Sequence, residues 1–246
     1  MPNFALSAQL RQNFAPISKT SLRQEARSIT DVLGRYGTSS SLALTQLKAV
    51  SPAVRGLLNN PATELALLFI DLSNFSVKTA AMPANAIAAI LDAYYAEVLP
   101  IVYEFDGEVE KIIGDGIIAV FGAPFTPGTH RAPWLKAAER CADKIGRARY
   151  THTYSVKIAL HYGKLVYYHN DKTTVDEFYA IGKPMTELFR LEGEGIDKKI
   201  SYYASGEYDT HRRLGQSVLN PTWWVQEPAR DVKLKGVDYK QVIDLR

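Results

Sequence analysis

A single cysteine, Cys141, stands among 246 residues. An intrachain disulfide is therefore excluded, and so is a cysteine zinc cage. Histidine is also scarce, and the five present show no metal-ligand spacing. Neither sign of charge dominates: 29 Lys and Arg against 26 Asp and Glu leave a net charge of +3. That is too little to argue for nucleic acid, although it suits an anionic small substrate. No apolar run reaches membrane-spanning length, and nothing at the N-terminus has the shape of a signal peptide. The expectation is a cytoplasmic protein with neither nucleic acid nor membrane as partner. No internal repeat is present. What is plentiful is core material, 46% hydrophobic against 22% charged residues, enough for one large domain or one domain with an extension.

The chain divides near residue 61. Leu22, Ala26, Ile29, Leu33 and Tyr36 recur at helical spacing, and so do Leu44, Leu47, Val50 and Val54 after the Gly37–Ser41 break. Residues 1–61 read as a helical extension and 62–246 as the main domain. There the texture changes. Leu65–Leu72 (LALLFIDL) is a continuous apolar run ending in an acid, the pattern of a strand buried on both faces. A helix is predicted over Pro83–Val98, with Pro100 kinking or ending it. A hairpin follows at Phe105–Gly122, then a helix over Trp134–Arg149 and an alternating strand at Tyr154–His161. A strand at Glu177–Ile181, a short helix at Pro184–Leu191, and strands at Lys199–Ala204 and Lys240–Leu245 complete the reading. This order predicts an α+β fold, an antiparallel sheet covered by helices on one side.

Two acids stand out. Asp71 closes the first strand, and Asp115 lies at the hairpin tip in KIIGDGIIAVF. A hairpin beside the first strand would bring both to one sheet edge, where two carboxylates repel unless a cation joins them. Hard divalent ions take oxygen ligands of this kind. Asp-Gly is also a good hairpin turn by itself, so Asp115 alone does not decide the matter. Lys111 interrupts the strand before the tip. Period-two alternation puts it on one face with Val109 and Ile113, either at a sheet edge or aimed at an acceptor. His161 reads as a histidine satisfied inside the fold, and Trp223-Trp224 as core packing.

Asp71 within FIDLSNF, Lys111-Ile112-Ile113-Gly114-Asp115, His161-Tyr162-Gly163, Tyr179-Ala180-Ile181-Gly182 running to Arg190-Leu191-Glu192, and Leu234-Lys235-Gly236 occur in the order seen in class III nucleotidyl cyclases. The resemblance runs from about residue 62 to the end. It implies a ferredoxin-like βαββαβ core and a homodimer with active sites at the subunit interface. It also implies two divalent ions, Mg2+ or Mn2+, on Asp71 and Asp115 with the backbone carbonyl of Leu72. The turn Ser73-Asn74-Phe75 would offer N–H groups to substrate phosphates, and Arg190 would stabilise charge on the α-phosphate. Thr186 stands where the family usually has an asparagine that orients the ribose. Lys111 and Tyr179 occupy the base-reading positions. Val237 stands where a phosphate-binding base is expected, with Lys235 or Lys240 as substitutes.

A tyrosine at the base position crowds a purine. Its hydroxyl and the Lys111 ammonium are donors that suit the carbonyls of uracil. These departures, with the short architecture, resemble the pyrimidine cyclases of bacterial Pycsar anti-phage systems. That resemblance implies UTP as substrate, cyclic UMP as product and a separate effector that reads it. An adenylate cyclase making cyclic AMP and a degenerate nucleotide-binding module are the other readings. The Gly-Gly-Asp/Glu-Glu-Phe hairpin of diguanylate cyclases is not in the sequence.

Overall fold

Leu65–Ile70 of strand β1 (Ala62–Leu72) is an unbroken apolar run because the strand lies inside the sheet, between β3 and β4, with these side chains covered on both faces. The computed structural model describes residues 62–123, 125–148, 154–169 and 178–246. The helices expected within 1–61 lie outside the described residues. After β1 come α1 (Phe75–Thr79), α2 (Ala84–Glu104), the hairpin β2 (Glu108–Ile113) and β3 (Gly116–Phe121), α3 (Arg131–Arg147) and β4 (Val156–His169). The core order β2-β3-β1-β4 is antiparallel throughout, the expected βαββαβ arrangement. Then follow β5 (Phe178–Ile181), α4 (Lys183–Gly193), β6 (Ile200–Tyr203), α5 (Glu207–Arg213), β7 (Arg230–Asp231) and β8 (Gln241–Leu245). They extend the sheet to β2-β3-β1-β4-β6-β8-β7, with β5 paired to β4 beside this path.

Four sequence expectations need correction. The sheet is not wholly antiparallel, because the crossover through α4 brings β6 in parallel to β4. Helices cover both faces, not one. Tyr94, Val98 and Val102 of α2 and Leu135, Ala138 and Ala142 of α3 pack on one face, and Met185, Leu188 and Leu191 of α4 on the other. Helix α2 runs through Pro100 to Glu104, since Ile101, Val102 and Tyr103 beyond the proline are buried in the same core. Strand β4 continues past His161 to His169. Helix α2 is also long and apolar enough to cross a membrane, but its buried Tyr94, Val98, Leu99 and Val102 mark a core helix. Trp224 is buried as expected, while Trp223 is half exposed beneath the Arg147 guanidinium, 3.1 Å from its ring centre.

Behind the sheet, burial pushes the Glu139 carboxyl of α3 up to about 7, against the Val218 N–H that donates to it at 2.8 Å. His211 of α5 lies 3.8 Å away, its imidazole held below the usual value by burial. A carboxyl raised from 4.5 to about 7 binds its proton more tightly in the folded state, so its contribution to stability falls as pH rises from 4.5 to 7. The histidine acts with the opposite sign. Comparison with Glu139→Gln isolates the carboxyl: wild-type stability relative to this variant should drop by about 2 kcal/mol between pH 5 and pH 8. Urea melts at the two pH values check this, and a difference that does not change with pH would refute it.

Candidate active site

The hairpin tip is a two-residue turn, since Ile113 pairs with Gly116 and leaves Gly114-Asp115 between them. Gly114 has φ of 59°, a left-handed conformation at the first central position, and Asp115 is not in that region. Glycine is thus what this turn requires, as in a type II′ hairpin. The Asp-Gly turn read from sequence is displaced by one residue. The turn makes no demand for an aspartate, and the carboxylate there needs another explanation.

That explanation is its neighbour. Asp71 reaches the same sheet edge from β1, and its carboxyl is raised, first by burial and then by the nearby charge of Asp115. Lys157 opposes the shift. It is the register partner of Asp71 on β4, and its Nζ lies 3.2 Å from Asp71 Oδ2 and 2.6 Å from Glu192 Oε1. Burial works against the Lys157 charge, but its bonds to Glu192 and Asp71 outweigh burial and raise its pKa. Glu192 is raised by burial, with Lys157 pulling the other way. Above the tip, Tyr95 of α2 donates to the Gly114 carbonyl, and burial with the charges of Asp115 and Asp92 pushes its phenol up to about 12. Among the described residues no group of three or more His, Cys, Asp and Glu forms a metal cage. A cation here would rest on two carboxylates and take its other oxygens from backbone, water or substrate, the pattern that suits magnesium or manganese. The mutual repulsion of Asp71 and Asp115 fits such an ion.

Lys111 is not on the face expected for it. The register shifts between Val109 and Lys111, a bulge at Glu110. Val109 and Ile112 therefore pack towards α2, and Lys111 falls on the opposite face, the one on which Asp71 lies. The bulge also frees Glu110 to accept the Ala180 N–H at 2.9 Å. This bond ties β2 to β5, so the strand neighbours of Lys111 and Tyr179 meet. The Tyr179 backbone pairs with Tyr168 of β4.

Of the phosphate turn, one part is corrected. The Ser73 N–H already donates to the Ser155 carbonyl at 2.8 Å and is not available to a phosphate. Asn74 adopts φ of 58° and starts α1, whose first internal bond runs from the Lys78 N–H to the Asn74 carbonyl at 3.0 Å. The Phe75, Ser76 and Val77 N–H groups precede that bond, as at any helix start. Leu72, whose carbonyl was expected to help, ends β1 next to Asp71.

Thr186 and Arg190 lie one turn apart on α4, both exposed, and no hydrogen bond or ion pair joins either to Asp71 or Asp115. The helix itself is held firmly. The Lys183 ammonium pairs with Asp238 near its start, His161 Nε2 lies 3.0 Å from Glu187 Oε2, and Arg230 donates to the Glu194 carbonyl at 2.7 Å beyond its end. The His161 bond is the first cause holding the Glu187 carboxyl below the usual range, so His161 is satisfied within the fold, as expected. Gly163 permits this seat: a Cβ there would lie 2.3 Å from Pro184 Cγ. Val237 is buried on the α4 face of the sheet. Sequence reasoning missed Lys157, Glu192 and Tyr95. A lysine alternating with Ala159 and His161 on a strand buried on both faces was the available signal for the first.

No protein-family model matches the chain. An uncharacterized protein of Mycobacterium tuberculosis is 24% identical over 168 residues, and one of Mycobacterium bovis likewise; the match takes in 68% of this chain and 30% of the relative. The chain thus spans under a third of the length of these curated relatives. Solved structures are more informative. The adenylyl cyclase CyaB from P. aeruginosa aligns with a TM-score of 0.58 and 18% identity, over 76% of this chain and 95% of that one. The guanylate cyclase domain of RhGC from Catenaria anguillulae, in complex with GTP, aligns with a TM-score of 0.57 and 17% identity, over 74% and 96%. A bacterial light-regulated adenylyl cyclase gives 0.55 and 16% identity over 91% of this chain and 62% of that one. The two acids at one sheet edge, the bulged hairpin and α4 are therefore carried by the fold of class III adenylyl and guanylyl cyclase catalytic domains.

Proposed function

We propose that the chain is a nucleotidyl cyclase that converts a nucleoside triphosphate, with UTP preferred, into its 3′,5′-cyclic monophosphate and pyrophosphate. The observation that carries this reading is the meeting of Asp71 and Asp115 at one edge of a cyclase-fold sheet. The working unit is a homodimer in the cytoplasm, with its product read by a separate effector in an anti-phage response. Two Mg2+ or Mn2+ ions, when bound, acidify the ribose 3′-hydroxyl and neutralise the leaving pyrophosphate. Asp71 and Asp115 would hold them, with the Leu72 carbonyl. The protein supplies the rest. Phe75 and its neighbours at the start of α1 present N–H groups to phosphate oxygens. Arg190 offers a planar fork to the α-phosphate as charge builds there, and Thr186 one turn earlier hydrogen-bonds the ribose. Holding the 3′-oxygen in line with phosphorus is itself a large part of the catalysis.

Base choice rests on Lys111 and Tyr179, on two strands joined by the Glu110–Ala180 bond. Both are donors that match the carbonyls of uracil. Incubation with each of the four ribonucleoside triphosphates and Mn2+, followed by mass spectrometry, should yield cyclic UMP above the other products. Tyr179→Thr should cut the UTP preference by roughly tenfold, the worth of one good polar contact. Cyclic AMP as the main wild-type product would overturn the pyrimidine assignment and leave a cyclase, whereas no cyclic product at all would favour a nucleotide-binding module.

A further inference from the structure

Lys157 has no part in the reading above, yet it touches the residue on which that reading depends. Its ammonium is shared unequally, 3.2 Å from Asp71 Oδ2 and 2.6 Å from Glu192 Oε1, and all three side chains are at most one-fifth exposed. Its place is set by backbone, because Lys157 and Asp71 are register partners across β4 and β1. Room for its stem comes from Gly195, where a Cβ would lie 3.2 Å from Lys157 Cδ and 2.8 Å from the Glu192 carbonyl. An ammonium against a carboxylate that also serves a divalent ion is a competitor for the same oxygen. Glu192, in closer contact, gives that ammonium a second seat.

We propose that Lys157 is a positioning residue that acts as a built-in counter-cation: it covers the Asp71 oxygen in the free protein, and it withdraws to Glu192 when a divalent ion takes that oxygen. The inference rests on the reading of Asp71 and Asp115 as a cation site. Its consequence is that the site binds metal weakly until substrate phosphates bring further oxygens, so metal and nucleotide load together. A second consequence concerns α4. Glu192 follows Arg190 by two residues, so the shift of the ammonium is felt on the helix that carries the phosphate-binding arginine.

The alternative is an ordinary structural ion pair, and the two accounts differ in sign. Removing a competing unit charge in contact with a ligand oxygen strengthens cation binding, and removing the second seat weakens it. Mn2+ alone is titrated into the full-length chain without nucleotide and followed by electron paramagnetic resonance, with Asp115→Asn as the variant that loses the site. Lys157→Met should bind Mn2+ roughly tenfold more tightly than wild type, and Glu192→Gln roughly threefold more weakly. Lys157→Gln, which keeps a polar tip, serves the same purpose if the methionine variant does not fold, and thermal melts report on folding. Unchanged or weaker Mn2+ binding in a folded Lys157 variant, or tighter binding in Glu192→Gln, would overturn the proposal. No turnover enters the measurement, so a protein that binds Mn2+ as described but cyclises nothing would sink the cyclase reading and leave this one standing.

Discussion

Replacing Asp115 with asparagine is expected to leave a folded protein that has lost about a thousandfold in cyclic nucleotide formation. Folding should survive because the turn depends on Gly114 at φ of 59°, and Asp115 lies outside the left-handed region. Asparagine is also a good turn residue. The site fares differently. Asparagine keeps one oxygen but no charge, so it can neither hold a hard cation as a carboxylate does nor repel Asp71. The Asp71 carboxyl should then ease back towards its ordinary value, because the Asp115 charge, its largest raising cause after burial, is gone. Product analysis by mass spectrometry together with a thermal melt makes the test. A variant with full activity would remove Asp115 from the mechanism.

The second large effect concerns the proposed dimer. Thr186 and Arg190 are exposed on α4 and unbonded to the acid pair, even though Glu192 of the same helix reaches Lys157. An arginine so placed fits a site completed by a second copy, each chain lending its acids to one site and its α4 to the other. Arg190→Ala alone should cost about a hundredfold in rate, the scale of a lost charge-stabilising donor. Asp71→Asn alone should cost more. Mixed and allowed to exchange subunits, these two inactive variants should recover roughly a quarter of wild-type activity, since half of randomly formed dimers are mixed and each has one intact site. No recovery above the separate variants would mean that the acids and Arg190 serve the same chain's site, or that Arg190 serves none.

Much of the local structure around the candidate site was legible in the sequence. The apolar run ending at Asp71 and the glycines around Asp115 fixed two local structures whose periodicities are unmistakable, and Thr186 and Arg190 one turn apart made a shared helix face. The face of Lys111 was not legible, because a bulge inserts one residue and shifts the alternation, and that depends on what Glu110 can reach across space. The parallel pairing of β6 with β4 was hidden for the same reason: a strand's partner is chosen by the crossover before it, not by its own four residues. Pro100 misled because local propensity yields to burial on either side of it. Lys157 and Glu192 were given no role from the sequence, because only register and packing set them beside Asp71.

The central position of β1 has a cost in time. Its residues Leu65 to Ile70 are fully covered or nearly so in the finished protein, and one of its two pairing strands, β4, lies about 90 residues further along the chain. At translation rates of about 5–20 residues per second, that strand arrives on the order of 5 to 20 seconds later. Until then the most apolar segment of the domain has an open hydrogen-bonding edge on the ribosome, an invitation to mispairing that a nascent-chain chaperone would shield.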